Sequence, residues 1–281
     1  MDLPLSRAAV PRLEFLASTG STNDDLRAGA VGAEAAAWPH GSVIVTDDQT
    51  RGRGRLGRVW LAPTGKTLAI SVLLRPALPG GAEFPADAYG WIPLIAGAAM
   101  TEAVRREVDA AASAMPDTDE DDRSGGVDVA LKWPNDVLVS DYKVCGILSE
   151  LLPESGAVIV GAGLNLTLDE HDLPTLTSTS LQLVTGVPPH ADRVLADYLG
   201  SFLGLMRAFA EHGADAASSG ISDRVSGLCG TLGSEVRVEL PGGRELLGTA
   251  ERLDRDGRLV VRDGNGEPQA VAAGDVTHLR Y

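Results

Sequence analysis

DDQTRGRGRLGRVW, residues Asp47 to Trp60, sets four arginines and three glycines between the apolar runs SVIVT and LAPTGKTLAISVLL. The chain as a whole carries a net charge of −15, so so dense a cationic stretch is an anion site rather than average surface. Gly52, Gly54 and Gly57 free the backbone to turn and let amides approach a ligand. Arg51, Arg53, Arg55 and Arg58 offer planar forks that match carboxylate and phosphate oxygens in pairs. The glycines satisfy G-x-G-x-x-G, but a dinucleotide-binding turn needs a helix directly after it, and a β-branched run follows instead. Gly65-Lys66-Thr67 resembles the end of a P-loop, yet Trp60 stands where its first glycine should be. The stretch therefore reads as a loop between strands of one sheet, suited to a ligand that carries a carboxylate and phosphates.

Composition narrows the rest. A chain of 281 residues that is 44% apolar can bury one large core plus a small satellite domain. No apolar run reaches the roughly 18 residues that span a bilayer, and no basic start precedes an apolar stretch, so a cytoplasmic setting without membrane contact is expected. Asp plus Glu number 39 against 24 Lys plus Arg, which opposes general nucleic-acid binding. Cys145 and Cys229 lie in apolar or glycine-flanked stretches and read as buried thiols. The five histidines lack metal spacing and no G-x-S-x-G elbow occurs, so neither protein-ligated zinc nor a serine hydrolase has its signature. Only Lys66, Lys132 and Lys143 are lysines, which marks places where a compact ammonium is preferred to a wide guanidinium.

Along the chain, RLEFLA (12–17) predicts a short strand. Ser21 or Thr22 then caps a helix to about Trp38, with Asp24 and Asp25 as in a capping box. Such a helix start also binds anions; a plain N-cap explains the same hydroxyls. Ser42–Thr46 and Thr67–Arg75 read as central strands, and Trp91–Val108 as a buried helix. The stretch 109–128 is acidic and poor in large apolar groups. It reads as a solvated mobile insertion rather than a metal site, since no glycine-centred calcium spacing is present. Val129–Trp133 and Val137–Val139 are expected as one interrupted strand, and Lys143–Leu152 as its partner, placing Lys132 and Lys143 on neighbouring strands. In AVIVGAGLNLTL (157–168), Gly161 and Gly163 leave room for a ligand or another backbone. Ala191–His212 has the apolar spacing of an amphipathic helix. From Cys229 onward, short β runs alternate with PGG, DRDG and GNGE turns, which predicts a small β-barrel.

Five ordered motifs, SerThrAsn at 21–23, GRGRLGRVW at 52–60, KWPND at 132–136, KVCGIL at 143–148 and GAGLN at 161–165, resemble the biotin protein ligases across nearly the whole chain. That resemblance implies an α+β fold: a mixed β-sheet flanked by helices, of the class II tRNA-synthetase and biotin ligase type, with a C-terminal SH3-like β-barrel. The domains would be a catalytic biotin- and ATP-binding domain at 1–226 and an SH3-like domain at 227–281. The implied enzyme is a ligase that activates biotin with ATP to biotinoyl-5'-AMP. It then transfers biotin to one lysine of a biotin carboxyl carrier protein, with Mg2+ bridging the phosphates. No operator-binding domain precedes residue 21, so DNA repression is not expected.

Carried over residue by residue, the resemblance implies that Ser21, Thr22, Asn23 and Gln49 bind the ureido ring and that Gly146 and Gly161 make space for the bicycle. Gly52, Gly54, Arg53, Arg55 and Lys143 would surround the rest of biotin, the cations facing its carboxylate. Arg53, Arg55, Arg58, Trp60, Lys132, Asn135 and Asn165 would contact ATP. Lys143, Arg55 and Asp136 would be the catalytic set, with no protein-held metal. Asp136 either orients the carrier lysine and draws off its proton or caps a turn, and both readings stand. Leu56, Val59 and Gly65-Lys66-Thr67-Leu68 depart from the family pattern, which touches the loop's phosphate contacts and any dimer contacts; a monomer or weak homodimer is expected. A carboxylase subunit of acetyl or propionyl type is the implied carrier. A lipoate or octanoyl ligase would share the sheet but needs apolar pocket walls, and a non-catalytic biotin sensor has no need of two retained lysines.

Overall fold

The computed structural model describes residues 1–31, 34–114, 127–240, 242–272 and 274–279. In chain order the strands are β1 (Leu13–Leu16), β2 (Val43–Thr46), the two-residue β3 (Gly52–Arg53) and β4 (Val59–Trp60), and β5 (Thr67–Leu74). β6 (Val129–Lys132), β7 (Asp136–Val139), β8 (Tyr142–Leu152) and β9 (Ala157–Asn165) follow, then β10 (Glu235–Leu240), β11 (Arg244–Leu253), β12 (Leu259–Asp263), β13 (Pro268–Val271) and β14 (Asp275–His278). The α-helices are α1 (Pro4–Ala9), α2 (Thr22–Val31), α3 (Trp91–Ala114), α4 (Leu181–Thr185), α5 (Ala191–Glu211) and α6 (Ile221–Leu228). No helix among the described residues is long and apolar enough to cross a membrane.

Seven strands form one sheet in the order β1-β2-β5-β9-β8-β7-β6, parallel at β1–β2 and antiparallel elsewhere, which is the mixed sheet expected. Register decides its two faces, because directly opposed residues point the same way. One face gathers Val43, Val45, Leu68, Ile70, Val72, Val160, Ala162 and Leu164 under α3 and α5, in the main core. Tyr198, Phe202 and Phe209 of α5 are fully buried there, each contributing roughly 1.5–3 kcal/mol by leaving water. On the other face Ile44, Leu73 and Ile159 pack with Leu26 and Ala30 of α2 in a smaller cluster. That helix covers only one half of the sheet. Along the uncovered half, successive rows read Ser71–Gly161–Leu148, Ala69–Gly163–Gly146 and Thr67–Asn165. Gly146, Gly161, Gly163, Ala69 and Ser71 make a floor of small residues, and because β5 is buried on both faces its sequence is nearly continuously apolar.

Three expectations change. The chain reverses at Trp133–Asn135, where Asn135 N donates to Lys132 O at 3.1 Å, so β6 and β7 are an antiparallel hairpin rather than one interrupted strand. Lys132 and Lys143 therefore stand two strands apart, with β7 and its Asp136 between them. The helix after Ser21 ends at Val31 rather than near Trp38, whose indole lies where a side chain on Gly29 would go. The long helix α3 continues to Ala114, taking up the start of the acidic stretch; residues 115–126 of that stretch lie outside the described residues.

The C-terminal strands form an antiparallel sheet in the order β13-β12-β11-β10-β14. Among the described residues β13 and β14 do not pair, so this is an open sheet and not a closed barrel. It docks on the first part through tryptophans. Trp91 Nε1 donates to Arg255 O at 2.7 Å, Trp133 Nε1 to Gly257 O at 3.2 Å, and Trp133 N to Thr231 Oγ1 at 3.0 Å. Gly257 sits in the left-handed region (φ +79) at this turn, a conformation open to glycine without strain.

Candidate active site

Above the glycine floor lies a cavity of ≈ 360 Å³, walled by α2, the arginine loop, the β6–β7 turn, β8, β9 and the segment 174–178. Its size suits a small ligand, though its lining is more polar than that of a purely apolar site. Ser21, Thr22, Asn23, Gln49, Arg53, Gly54, Arg55, Arg58, Trp60, Lys132, Asn135, Asp136, Lys143, Gly146 and Gly161 all line it. Gly52 and Asn165 do not. Gly52 packs behind the wall, where a Cβ would come within 2.5 Å of Trp60 O and 2.7 Å of Gln49 Nε2. Asn165 lies one row beyond Gly163, buried; its Nδ2 donates to Thr179 O at 2.9 Å, and its Oδ1 has no partner among the described residues.

At the α2 end the cavity is neutral and polar. Ser21 O accepts the first helical amides, from Asp24 and Asp25, at 3.0 and 3.1 Å. The Thr22 hydroxyl turns inward instead of capping, lying 3.2 Å from Gln49 Oε1, which also accepts Thr22 N–H at 3.0 Å. Asp24 and Asp25 are not capping-box carboxylates either: Asp24 pairs with Arg53 at 2.6 Å, and Asp25 accepts from Thr19 Oγ1. Sequence reasoning passed over Ser71 and Glu150, which complete this end. Ser71 Oγ is buried 2.5 Å from Asn23 Oδ1, and Glu150 Oε2 accepts from Asn23 Nδ2 at 2.7 Å. Each stood in the sequence as a polar residue within an apolar run, Ser71 in LAISVLL and Glu150 beside Ser149 in GILSELL. The fit is tight: a Cβ on Gly161 would sit 2.5 Å from Asn23 Oδ1.

The opposite end is cationic. Lys143 Nζ pairs with Asp136 Oδ1 at 2.6 Å and lies 5.6 Å from the centre of the Trp60 ring. Arg55 donates to Asn135 Oδ1 at 2.9 Å and to Gly274 O at 3.3 Å, while Arg58 pairs with Asp275. Thus β14 of the C-terminal sheet supplies part of the wall, a contribution no sequence signal announced. Burial is the main cause that draws the Lys132 ammonium and the Arg55 guanidinium below their ordinary values. Arg53 points the other way along the cavity: its hydrogen bond to Asp24 holds it above its ordinary value, and Glu150 lies 3.2 Å away. Its charge is balanced by two carboxylates, so Arg55, Lys132 and Lys143, rather than Arg53, face the cationic end. Between the ends, the Trp60 indole lies over Gly163 and Gly146, where Cβ atoms would approach it within 2.3 and 3.1 Å, and its buried Nε1 has no hydrogen-bond partner among the described residues.

A neutral polar pocket, a small-residue floor and a cluster of cations, of which Lys132 and Arg55 are desolvated, suit a ligand with a polar head, a flat body and an anionic tail. Comparison with known proteins agrees. Residues 17–165 match the Biotin/lipoate A/B protein ligase family, and residues 231–279 match the Biotin protein ligase C terminal domain. A biotin–[acetyl-CoA-carboxylase] ligase of Mycobacterium tuberculosis is 35% identical over 96% of this chain and 90% of its own length. The biotin protein ligase of Aquifex aeolicus, solved in complex with biotin and ATP, superposes with a TM-score of 0.71 at 26% identity, covering 96% of this chain and 100% of that one. The Leishmania major enzyme, solved with biotinyl-5-AMP, gives 0.56 at 26% identity over 94% and 99%. The fold, the cavity and both matched segments place this chain in the Biotin/lipoate A/B protein ligase family.

Proposed function

We propose that this protein activates biotin with ATP to biotinyl-5'-AMP and transfers the biotinyl group to a lysine of a carboxylase's biotin carboxyl carrier protein. The observation that carries this reading is the polarity of this cavity, with a hydroxyl- and amide-lined end at Thr22, Asn23 and Gln49 and a cationic end at Arg55, Lys132 and Lys143. A ureido head fits the first and a carboxylate meeting a triphosphate fits the second. A fatty-acyl substrate would leave the buried polar groups of the first end unmatched, at a cost of roughly 1–3 kcal/mol each.

In the first step a biotin carboxylate oxygen bonds to the α-phosphorus while the bond to the leaving diphosphate breaks. Negative charge gathers on phosphoryl oxygens, where fixed cations stabilise it. Arg55, held by Asn135 and Gly274, and Lys143, held by Asp136, are preorganised for that task. Lys132 and Arg58 face the outgoing phosphates, with Trp60 toward the nucleotide. In the second step the carrier amine attacks the acyl carbon and AMP leaves. Lys143 stabilises the acyl oxygen, and Asp136 takes the proton of the incoming lysine. Among the described residues no three His, Cys, Asp or Glu side chains group to hold a metal. The oxygen donors at the cationic end, Asp136 and Asp275, fit a magnesium ion carried mainly by phosphates. Such an ion would neutralise phosphate charge.

A cytoplasmic setting, where ATP is available and the buried thiols Cys145 and Cys229 stay reduced, fits this reading, as do a monomer or weak homodimer and a division of labour at about residue 226. Mass spectrometry of a carrier domain incubated with the protein, biotin and Mg-ATP tests it, with lipoate as competitor and Lys143→Ala as control. A biotin-sized gain on one lysine, lost in the control, is expected. Modification by lipoate instead, or binding of biotin without ATP-dependent transfer, would overturn it.

A further inference from the structure

Glu150 stands at the end of β8 where three elements meet. Its carboxylate accepts from Asn23 Nδ2 at 2.7 Å, lies 3.2 Å from Arg53 of the arginine loop and pairs with Arg27 of α2 at 3.1 Å. The Glu150 oxygens accept from the guanidinium groups of Arg53 and Arg27, so Asn23 turns its nitrogen toward Glu150 and its oxygen toward the sheet. Ser71 Oγ is 2.5 Å from that oxygen and 2.8 Å from Thr22 Oγ1. A hydroxyl has one proton, and the amide oxygen accepts only, so Ser71 donates to Asn23 and receives from Thr22. The chain of bonds runs one way, from Thr22 to Ser71 to Asn23 to Glu150. The one Thr22 hydroxyl proton goes to Ser71 at 2.8 Å rather than to Gln49 Oε1 at 3.2 Å, so the hydroxyl oxygens keep lone pairs to spare and Gln49 Oε1, which takes Thr22 N–H, is left with a second one.

We propose that Glu150 is a positioning residue that fixes the donor–acceptor polarity of the ligand's head pocket, making it an acceptor for the two N–H groups of a cyclic urea. Its grip on Arg53 also holds the strand Gly52–Arg53 against α2 at the mouth of that pocket. Networks of this kind act as a unit, and fixing one member orients the others. The inference rests on the biotin reading of the cavity.

The test is a double-mutant cycle on the full-length protein. Biotin affinity is measured by calorimetry with biotin alone, and KM and kcat by biotin-dependent adenylate formation. Glu150→Gln keeps the shape but removes the charge and lets Asn23 turn over. It should raise biotin Kd and KM about tenfold, leaving kcat and ATP KM within about twofold. Asn23→Ala should do likewise, and the double variant should be no worse than Asn23→Ala by more than about threefold, because Glu150 acts mostly through that amide. Multiplicative losses in the double variant, or equal changes in kcat and ATP KM, would reduce Glu150 to a structural part. An unchanged biotin KM in Glu150→Gln would refute its role outright. A parent protein that neither binds nor activates biotin would instead sink the reading beneath it, and measuring the parent first separates the two failures.

Discussion

Gly161→Ala perturbs one atom at the most tightly built point of the head pocket. A Cβ there comes 2.5 Å from Asn23 Oδ1, about 0.9 Å short of the 3.4 Å at which such contacts become ordinary. Asn23 cannot swing freely, since Ser71 holds its oxygen at 2.5 Å and Glu150 its nitrogen at 2.7 Å, and the residue is 5% exposed. Moving it aside breaks or strains two hydrogen bonds in a buried site, and leaving a buried polar group unmatched costs roughly 1–3 kcal/mol. If that loss falls on the ligand, biotin KM rises by roughly 5- to 150-fold, while ATP KM, read at the other end of the cavity, stays within about twofold. If it falls on the fold, the melting temperature drops instead, by roughly 2–4 °C per kcal/mol for a chain of this size. Steady-state adenylate formation at varied biotin, run beside a thermal melt, distinguishes the two. Biotin KM and melting temperature both equal to the parent's would refute the reasoning, because the displaced amide would then matter to neither.

Two further variants probe the cationic end. Arg55→Gly removes the guanidinium that bridges Asn135 and Gly274 at the cavity wall. Biotinyl-5'-AMP should then escape before transfer and label lysines of bystander proteins, as mass spectrometry of added albumin would show; unchanged retention of the adenylate would refute the assignment. Lys132 is held below the ordinary lysine value of 10.5, chiefly by burial, so just below that value the unfolded chain binds more protons and stability rises with pH through the window. Lys132→Met should abolish that slope and raise the melting temperature at neutral pH, while raising ATP KM roughly tenfold for the loss of one charge-assisted contact. A lower melting temperature, or an unchanged ATP KM, would contradict it.

Much of this was legible in the sequence because the informative signals were local. The continuous apolar runs at Val43–Thr46 and Thr67–Leu74 describe strands whatever they pair with. The arginine loop, Ser21–Asn23 and Lys143 announce themselves by residue type. The reversal at Trp133–Asn135 was missed because β6 and β7 are each four residues long, and a hairpin with so short a turn looks like one interrupted strand until pairing is known. Asp275 and Gly274 lay beyond reach for a different reason: their place beside Arg58 and Arg55 depends on how a second sheet docks more than 200 residues away, which no local pattern encodes. Arg53 was legible as a cation but not as a neutralised one, because Asp24 and Glu150 come to it from separate elements.

The placement of the four tryptophans gives the molecule its own optical readout. Trp91 and Trp133 donate their indole N–H groups to the carbonyls of Arg255 and Gly257, two residues apart on one turn of the C-terminal sheet, while Trp60 lies over Gly163 and Gly146 inside the cavity and Trp38 packs beneath α2. Emission from the first pair senses whether that turn is seated, and emission from Trp60 senses what shares its space above the glycines. A Trp60→Phe variant would strip the cavity signal and leave the docking signal, so one unlabelled sample can follow both events through a single turnover.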